Sequence, residues 1–375
     1  MVKNVWTVLE SMPGKEFERE IREAEDAGLQ GVWIPQLFSP PFPAMAAAAM
    51  VSTRLQIGSG VALAFTRSPV ETALSALEID VLSGGRTVLG LGTSIQMLNE
   101  RLHGVVYGKP LSHLREVVRL VRDVIERGHT GELGLCQGEY HRLDASGFRL
   151  GGKRVRKSIP IYLPALFESS IRLAGEIGDG LAGHPVWSLR WVETEMRRFL
   201  DQGLLAAGRN REDFHVNLWS YVAIDPDRRR AIDDARGTLA FYSGIAQYER
   251  YFAAHGFGDA ARAIAAATAR GNIAEALAAV PDEMVTTFMV AGTRDDVCKR
   301  IEALARVADS LTLVPPGTGG TLSPERVMAY RRAIEEAFYP ATEGKEPPPV
   351  TPELIGRLMA ASARHGQTVL PPAHS

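Results

Sequence analysis

The chain has 375 residues, of which 45% are hydrophobic and 23% are charged, and its formal net charge is −2. This balance is enough for a large core, and it gives no basic surface for nucleic acid or an anionic membrane. The two cysteines, Cys136 and Cys298, lie far apart, which argues against a disulfide framework or a metal site. Without a signal-peptide pattern or an apolar run of about 18 residues, we expect a soluble, cytoplasmic protein with no nucleic-acid or membrane partner.

Strand and helix signals alternate along the chain up to about residue 340. The predicted strands are residues 5–9, 31–34, 55–62, 87–92, 159–163, 180–183, 214–224 and 310–314. The predicted helices are residues 15–27, 44–52, 69–82, 111–127, 168–177, 189–207, 293–307 and 323–338, with a long helical region from 227. Eight such units predict an α/β fold, the (β/α)8 TIM barrel. A doubly wound sheet with a helical second domain is the alternative.

The alternation is interrupted twice and then stops. The Gly- and Arg-rich stretch 128–158 and the Ala-rich stretch 244–290 are interpreted as insertions in a barrel domain of residues 1–340. The tail, 341–375, starts with a Pro-rich linker, EGKEPPPVTPE. Residues 351–364 then either form an amphipathic helix, which packs on the barrel or a second subunit, or stay disordered. We expect a homodimer.

The segment LSGGRTVLGLGTSIQMLNE, residues 82–100, indicates a ligand site. Its uncharged run is typical of a strand buried on both faces, and it ends in Gly92, Thr93 and Ser94, where a flat ligand can approach the backbone. A dinucleotide fingerprint does not fit, because Ile95 stands where the third glycine would be. Structural glycines in a crowded barrel are the plainer alternative.

Several segments together resemble the bacterial luciferase-like superfamily, in the branch that uses the deazaflavin coenzyme F420. They are LQIGSGVALAFTRSPVETALSALEIDVLSGGRTVLGLGTSIQMLNE, LSHLREVVRLVRDVI, IPIYLPALFESSIRLAGEIGDGLAGHP and MVTTFMVAGTRDDV. The resemblance covers about residues 3–340 and implies that the deazaflavin ring lies at the carboxyl ends of the strands. In the FMN-dependent luciferases an arginine that contacts the FMN phosphate aligns near Thr93, so its absence here favours F420 over FMN.

The resemblance also implies which residues hold the coenzyme. A bulge at the end of the third strand, often with a non-proline cis peptide, lies behind the ring. The helix N-terminus after the fifth strand, with free N–H groups, suits the phosphate, although plain N-capping is the alternative there. The matching residues are Ser59, Gly60, Val61 and Ala62 for the bulge, Gly92, Thr93, Ser94 and Asn99 around the fourth strand, and Ala165, Leu166, Phe167, Glu168, Ser169 and Ser170 at the helix.

Two departures from the family limit the reaction. The sugar-phosphate dehydrogenases of the family carry an Asp-His pair after the second strand, where this chain has Gln36 and Leu37. They also carry a Glu past the fourth strand, where this chain has Ile95 or Gln96. The resemblance therefore does not imply sugar-phosphate chemistry.

Two other residues are the candidates for catalysis. His184 follows the sixth strand, and an imidazole can act as acid or base near neutral pH; a packed histidine is the alternative. Gln36 can hydrogen-bond a substrate or the coenzyme edge. Phe65 and Trp187 are candidate walls of an apolar pocket, and no metal is expected.

These observations predict an F420-dependent oxidoreductase that transfers a hydride between the deazaflavin C5 and a small organic substrate. One alternative is an FMN-dependent monooxygenase supplied with reduced flavin by a partner reductase. Another is a coenzyme-binding protein of this family without catalysis.

Overall fold

A computed structural model describes residues 4–36, 39–150 and 154–339. Eight parallel strands close into a barrel, as the sequence predicts. They are β1 (Val5–Val8), β2 (Gly31–Ile34), β3 (Gln56–Ser59), β5 (Thr87–Gly92), β8 (Ile161–Ala165), β9 (Gly180–Gly183), β10 (His215–Ile224) and β12 (Ser310–Val314). The order β1–β2–β3–β5–β8–β9–β10–β12 closes through pairing of Val5 with Leu311. Four further strands are β4 (Ala62–Leu63) beside β5, the antiparallel pair β6 (Gly134–Gln137) and β7 (Arg142–Ala145), and β11 (Val290–Gly292) beside β10.

Helices connect the strands and surround the barrel. The first half contains α1 (Gly14–Asp26), α2 (Pro41–Val51), α3 (Pro69–Ser83), α4 (Pro110–Arg127), α5 (Glu168–Ile177), α6 (Leu189–Trp191) and α7 (Arg197–Ala206). The second contains α8 (Arg228–Ser243), α9 (Glu249–Ala253), α10 (Gly258–Ala269), α11 (Ile273–Ala278), α12 (Asp282–Phe288), α13 (Arg294–Ala305) and α14 (Pro324–Phe338). Short π-helical turns cover Leu98–Leu102 and Val192–Met196, and 3₁₀ turns cover Gly128–Thr130, Arg211–Asp213 and Ala246–Tyr248.

The structure corrects four details of the sequence prediction. The third strand is not continuous over 55–62, because it divides at Gly60 and Val61 into β3 and β4. The helix predicted at 44–52 begins at Pro41, since proline is tolerated in a first turn where no N–H is needed. Strand β11 was missed, and a π-helical turn interrupts the helix predicted at 189–207. The predicted tail, 341–375, and Leu37, one of the two positions that depart from the family pattern, lie outside the described residues.

The SGGR turn, residues 83–86, connects α2, β3 and β5 at the amino ends of the strands. Gly84 and Gly85 adopt φ of 68° and 91°, and so they end α3 in a conformation that side chains disfavour. Arg86 then donates to the carbonyls of Ala49, Ser52 and Leu55 and to that of Ser83. This arginine therefore connects α2 and the start of β3 to the entry of β5.

The lower interior of the barrel, at the amino ends of the strands, is filled by aromatic and hydrogen-bonded side chains. The Trp6 and Trp33 rings stack with centroids 4.5 Å apart. Trp33 Nε1 donates to Thr312 Oγ1 at 3.1 Å, and that hydroxyl donates to Asn217 Oδ1 at 2.8 Å. Asn217 Nδ2 in turn donates to Ser310 Oγ at 2.7 Å. This end of the barrel is a packed core rather than a ligand site.

Candidate active site

The floor of the candidate site lies at the carboxyl ends of β3 and β5. The peptide bond between Gly60 and Val61 is cis, which agrees with the bulge that the family resemblance implies. A Cβ on Gly92 would lie 2.7 Å from Val61 Cγ2 and 2.8 Å from Pro164 Cγ, and a Cβ on Gly90 would lie 3.0 Å from Val61 Cγ1. Glycine is therefore required for Val61 to lie flat across β5, and the floor that results is smooth and apolar.

Trp219 on β10 borders this floor from the other side of the barrel. A Cβ on Gly60 would lie 3.0 Å from Trp219 Cη2, so the indole packs directly against the cis peptide. Its Nε1–H is buried without a hydrogen-bond partner among the described residues. The floor thus combines Val61, Pro164 and an indole, surfaces on which a flat ring can stack.

Ser59 does not face this floor. It is fully buried, and its hydroxyl donates to the Gly90 carbonyl at 2.8 Å. Its place in the structure is to tie β3 to β5, with Ala62 continuing the pairing opposite Leu91.

The loop after β5 is fixed by two side chains from the segment that follows it. Ser94 has a φ of 56°, a left-handed conformation that is uncommon outside glycine. Asn99 is fully buried and donates from Nδ2 to the carbonyls of Thr93 and Ile95 at 2.8 and 2.9 Å. Tyr107 donates to the Ser94 carbonyl at 2.9 Å. Asn99 therefore has no exposed surface for the coenzyme contact predicted for it; it holds Thr93 in place instead.

The N-terminus of α5 lies at the end of β8, as the sequence predicts. Its first N–H groups have no acceptor within the helix and its dipole is positive there, which suits an anion. The Ser170 hydroxyl donates to the Phe167 carbonyl at 2.8 Å and accepts from its N–H, so it caps the helix. Ser169 and Glu168 are exposed, and Glu168 pairs with Arg172 at 2.9 Å. Ser169 is thus the hydroxyl here that is open to a ligand, while Ala165 and Leu166 are buried.

His184 lies just beyond β9 and contacts the helical insertion. Its Nε2 lies 2.9 Å from the Tyr248 hydroxyl, and its Nδ1 accepts from the Val186 N–H at 3.3 Å. Because Nδ1 accepts, the proton belongs on Nε2 and is donated to Tyr248. Burial lowers the pKa of His184 to about 3, so the ring is neutral at physiological pH.

His184 and Tyr248 form one wall of the site. Tyr221, Tyr242 and Thr318 extend this wall, and the sequence analysis missed all three. The Tyr221 hydroxyl lies 2.6 Å from Thr318 Oγ1 and 3.2 Å from the Tyr242 hydroxyl. Burial raises the pKa of both tyrosines, so both hydroxyls stay protonated. Alternation along β10 puts Tyr221 on the face that carries Asn217 and Trp219, so strand periodicity could have placed it in the barrel interior.

Gln36 lies on the opposite side, directly after β2. Its Oε1 accepts from the Leu63 N–H and from Arg67 Nη1, both at 3.0 Å. This bond brings Arg67, which the sequence analysis also missed, to the rim of the site. Gln36 and His184 therefore belong to opposite walls, and their catalytic roles stay predictions.

The two predicted pocket aromatics lie in different surroundings. Phe65 is buried and stacks on the His113 ring at 3.9 Å, with the Tyr107 ring edge-on at 6.1 Å. Trp187 is buried too, and its Nε1 has no partner among the described residues.

Within the described residues there is no group of three or more His, Cys, Asp or Glu side chains placed to hold a metal ion. Nor does any described helix have the length and apolarity needed to cross a membrane.

Comparison with known proteins agrees with this architecture. The luciferase-like monooxygenase family matches residues 2–310. A 5,10-methylenetetrahydromethanopterin reductase of Archaeoglobus fulgidus is 31% identical over 303 residues, which cover 78% of this chain and 86% of the relative. A putative coenzyme F420-dependent oxidoreductase of Mycobacterium tuberculosis is 28% identical, with 82% and 92% covered. The chain therefore belongs to the luciferase-like monooxygenase family, which confirms the predicted family.

A solved structure supports the fold independently. The coenzyme F420-dependent tetrahydromethanopterin reductase of Methanopyrus kandleri superposes with a TM-score of 0.74 at 22% identity. The match covers 90% of this chain and 98% of the reductase. The predicted TIM barrel is thereby confirmed, and the predicted coenzyme agrees with the names of these relatives.

Proposed function

We propose that the protein is an F420-dependent oxidoreductase that transfers a hydride between the deazaflavin C5 and a small organic substrate. The observation that carries the proposal is the smooth floor made by Val61 over Gly90 and Gly92, with the N-terminus of α5 at its edge. A flat ring on Val61 and an anion at the helix fit these two features together. The names of the Mycobacterium tuberculosis relative and of the Methanopyrus kandleri reductase both contain coenzyme F420, which favours the deazaflavin over FMN.

The coenzyme supplies the hydride chemistry when it is bound, and the chain positions it. Val61 and Trp219 would support the ring, and the Thr93–Ser94 turn, held by Asn99, would lie beside it. Ser169 and the α5 N–H groups would bind the phosphate. The substrate would then lie between Gln36 on one wall and His184 and Tyr221 on the other.

The substrate wall on the β9–β10 side is neutral. His184, Tyr221, Tyr242 and Tyr248 all keep their uncharged forms, since burial lowers the histidine pKa and raises those of the tyrosines. Such hydroxyls donate hydrogen bonds without taking up charge. We propose that this wall orients the reacting group and excludes water rather than storing a proton.

The test measures the affinity of the protein for F420 and for FMN, with quenching of coenzyme fluorescence as the signal of binding. We expect F420 to bind at least tenfold more tightly than FMN. Gly92→Ala should weaken F420 binding, because its Cβ would lie 2.7 Å from Val61. Gly14→Ala is the matched control, since nothing lies within 4 Å of the added Cβ. A preference for FMN would instead support the monooxygenase alternative, and binding of neither would overturn the proposal.

The homodimer, the cytoplasmic location, the absence of nucleic-acid partners and the domain boundary at residue 340 stay predictions. Light scattering of the purified protein checks the first of these.

A further inference from the structure

Arg67 is a half-buried cation with few hydrogen-bond partners among the described residues. It lies in the loop between β4 and α3, and its Nη1 reaches Gln36 Oε1 at 3.0 Å and Thr66 Oγ1 at 3.5 Å. Among the described residues no carboxylate lies within 4.0 Å of it; Glu71 acts on it only from a greater distance. Burial lowers the pKa of the guanidinium from its ordinary value, yet an arginine stays charged at any physiological pH.

Arg86 shows how a partly buried arginine is satisfied by the protein itself. Arg86 is also partly buried, and it spends all three guanidinium nitrogens on four backbone carbonyls and the Ser52 hydroxyl. Within the part of the chain that the structure describes, Arg67 uses one nitrogen, which donates to a side-chain amide and to a more distant hydroxyl. Pairing with an anionic group would stabilise this partly desolvated cation.

The guanidinium is held in a fixed orientation. Gln36 Oε1 also accepts from the Leu63 N–H, so the amide is fixed at two points, and the Arg67 guanidinium carbon lies 5.2 Å from the centre of the Phe42 ring. With Nη1 directed at Gln36, the remaining Nε–Nη2 edge is the one that matches the two oxygens of a carboxylate.

The position of Arg67 separates it from the coenzyme phosphate. Leu63 pairs with Gly92, and the Ala64 N–H donates to the Gly92 carbonyl, so the loop starts at the rim of the floor. The loop itself starts next to β5, but the guanidinium reaches Gln36, which follows β2. The phosphate is assigned to α5, which follows β8, and β3 and β5 lie between β2 and β8. The guanidinium therefore lies on the wall that carries Gln36, away from α5.

We propose that Arg67, oriented by Gln36, binds a carboxylate group of the substrate. The proposal rests on the proposed function and names its substrate class. It assigns the two walls different tasks: Arg67 anchors the anionic end of the substrate, and the neutral Tyr221–His184 wall faces the group that reacts.

The test is calorimetric titration of the F420-loaded protein with benzoate and octanoate, and with benzamide as a neutral match for benzoate. We expect the carboxylates to bind and Arg67→Met to weaken them by a factor of about 10 to 100, the loss of a charge-assisted pair. Arg67→Lys should recover part of the affinity, since it keeps the charge but not the fork. Benzamide binding should not respond to either change. Arg101→Met, at an exposed arginine after β5, is the control.

A second arm measures coenzyme binding in the same variants. For each of two ligands, F420 and the deazaflavin riboside that lacks the phosphate-bearing tail, the affinity of Arg67→Met should equal that of the wild type. If Arg67→Met weakens F420 but not the riboside, the arginine serves the coenzyme tail and the proposal is overturned. It is also overturned if neither carboxylate shows a dependence on Arg67. If the wild type binds no F420, the proposed function fails separately, and the carboxylate titration is decided on the coenzyme-free protein.

Discussion

The two ends of the barrel interior are built on opposite principles. At the lower end, Trp33, Thr312, Asn217 and Ser310 form a continuous chain of buried hydrogen bonds. At the upper end, glycines replace side chains beneath Val61, the Trp219 Nε1–H has no partner among the described residues, and Arg67 has one firm hydrogen bond. One end is complete without a ligand and the other is not, so stability and binding should respond to different substitutions.

The largest expected effect is at the floor, where space is the requirement. Gly90→Ala would place a Cβ 2.0 Å from the Ser59 carbonyl oxygen, a backbone atom that cannot move aside. Overpacking of this kind costs about 1–3 kcal/mol and occasionally more, and we expect this variant to exceed that range or fail to fold. Thermal unfolding measures it against Gly14→Ala, and an unfolding temperature equal to that of the control would contradict the packing seen at the floor.

A second substitution tests the lower end, where completeness is the requirement. Thr312→Val leaves Trp33 Nε1 and Asn217 Oδ1 buried without their partner. Each unsatisfied group costs about 1–3 kcal/mol, so the free energy of unfolding should fall. Urea unfolding of Thr312→Val is compared with Thr312→Ser, which keeps the hydroxyl. Equal stability of the two would show that the hydrogen-bonded chain contributes nothing.

The smallest expected effect concerns His184 in the neutral wall, and it is a change in how the free energy of unfolding depends on pH. His184 has an ordinary pKa of 6.5 when unfolded and about 3 when folded. The unfolded chain therefore binds a proton over this interval that the folded chain does not, so the free energy of unfolding falls as the pH drops. One such group contributes about 1.4 kcal/mol per pH unit.

In His184→Gln, the slope of the free energy of unfolding against pH should lose the contribution of one proton, about 1.4 kcal/mol per pH unit, between pH 6 and 4. Urea unfolding at a series of pH values measures this slope. His113, whose pKa burial lowers to about 4, keeps part of the slope in the variant. His103→Gln, at an exposed position, is the control. An unchanged slope in His184→Gln would mean that His184 is protonated in the folded protein.

Most of the fold could be predicted, because each barrel strand is a short apolar run between turn signals. Strand β11 escaped because it has only three residues, Val290–Gly292, between two helices. The division of the third strand depends on the backbone at Gly60–Val61, which no pattern of hydrophobicity reveals. The family resemblance implied this bulge, which hydrophobic periodicity cannot reveal.

The site could be predicted only where residues follow strands directly. Gln36, His184 and the Gly92–Ser94 segment come to one end of the barrel because parallel strands share a direction. Tyr248 could not be placed, since it lies in an insertion whose docking depends on tertiary contacts such as its bond to His184. Arg67 is a single loop residue whose meaning depends on Gln36, a partner 31 positions earlier.

The pairing of Val5 with Leu311 has a consequence for the order in which the protein is made. The first strand leaves the ribosome with one edge that has no partner until the last strand emerges. At roughly 5–20 residues per second, that wait is on the order of 15–60 s. During it the nascent chain exposes a strand edge open to wrong pairing, and Tyr221, Tyr248 and Thr318 are still missing from the site for much of this time. Coenzyme capture in the cell is therefore expected to follow synthesis of the last barrel strand rather than to guide folding from the start.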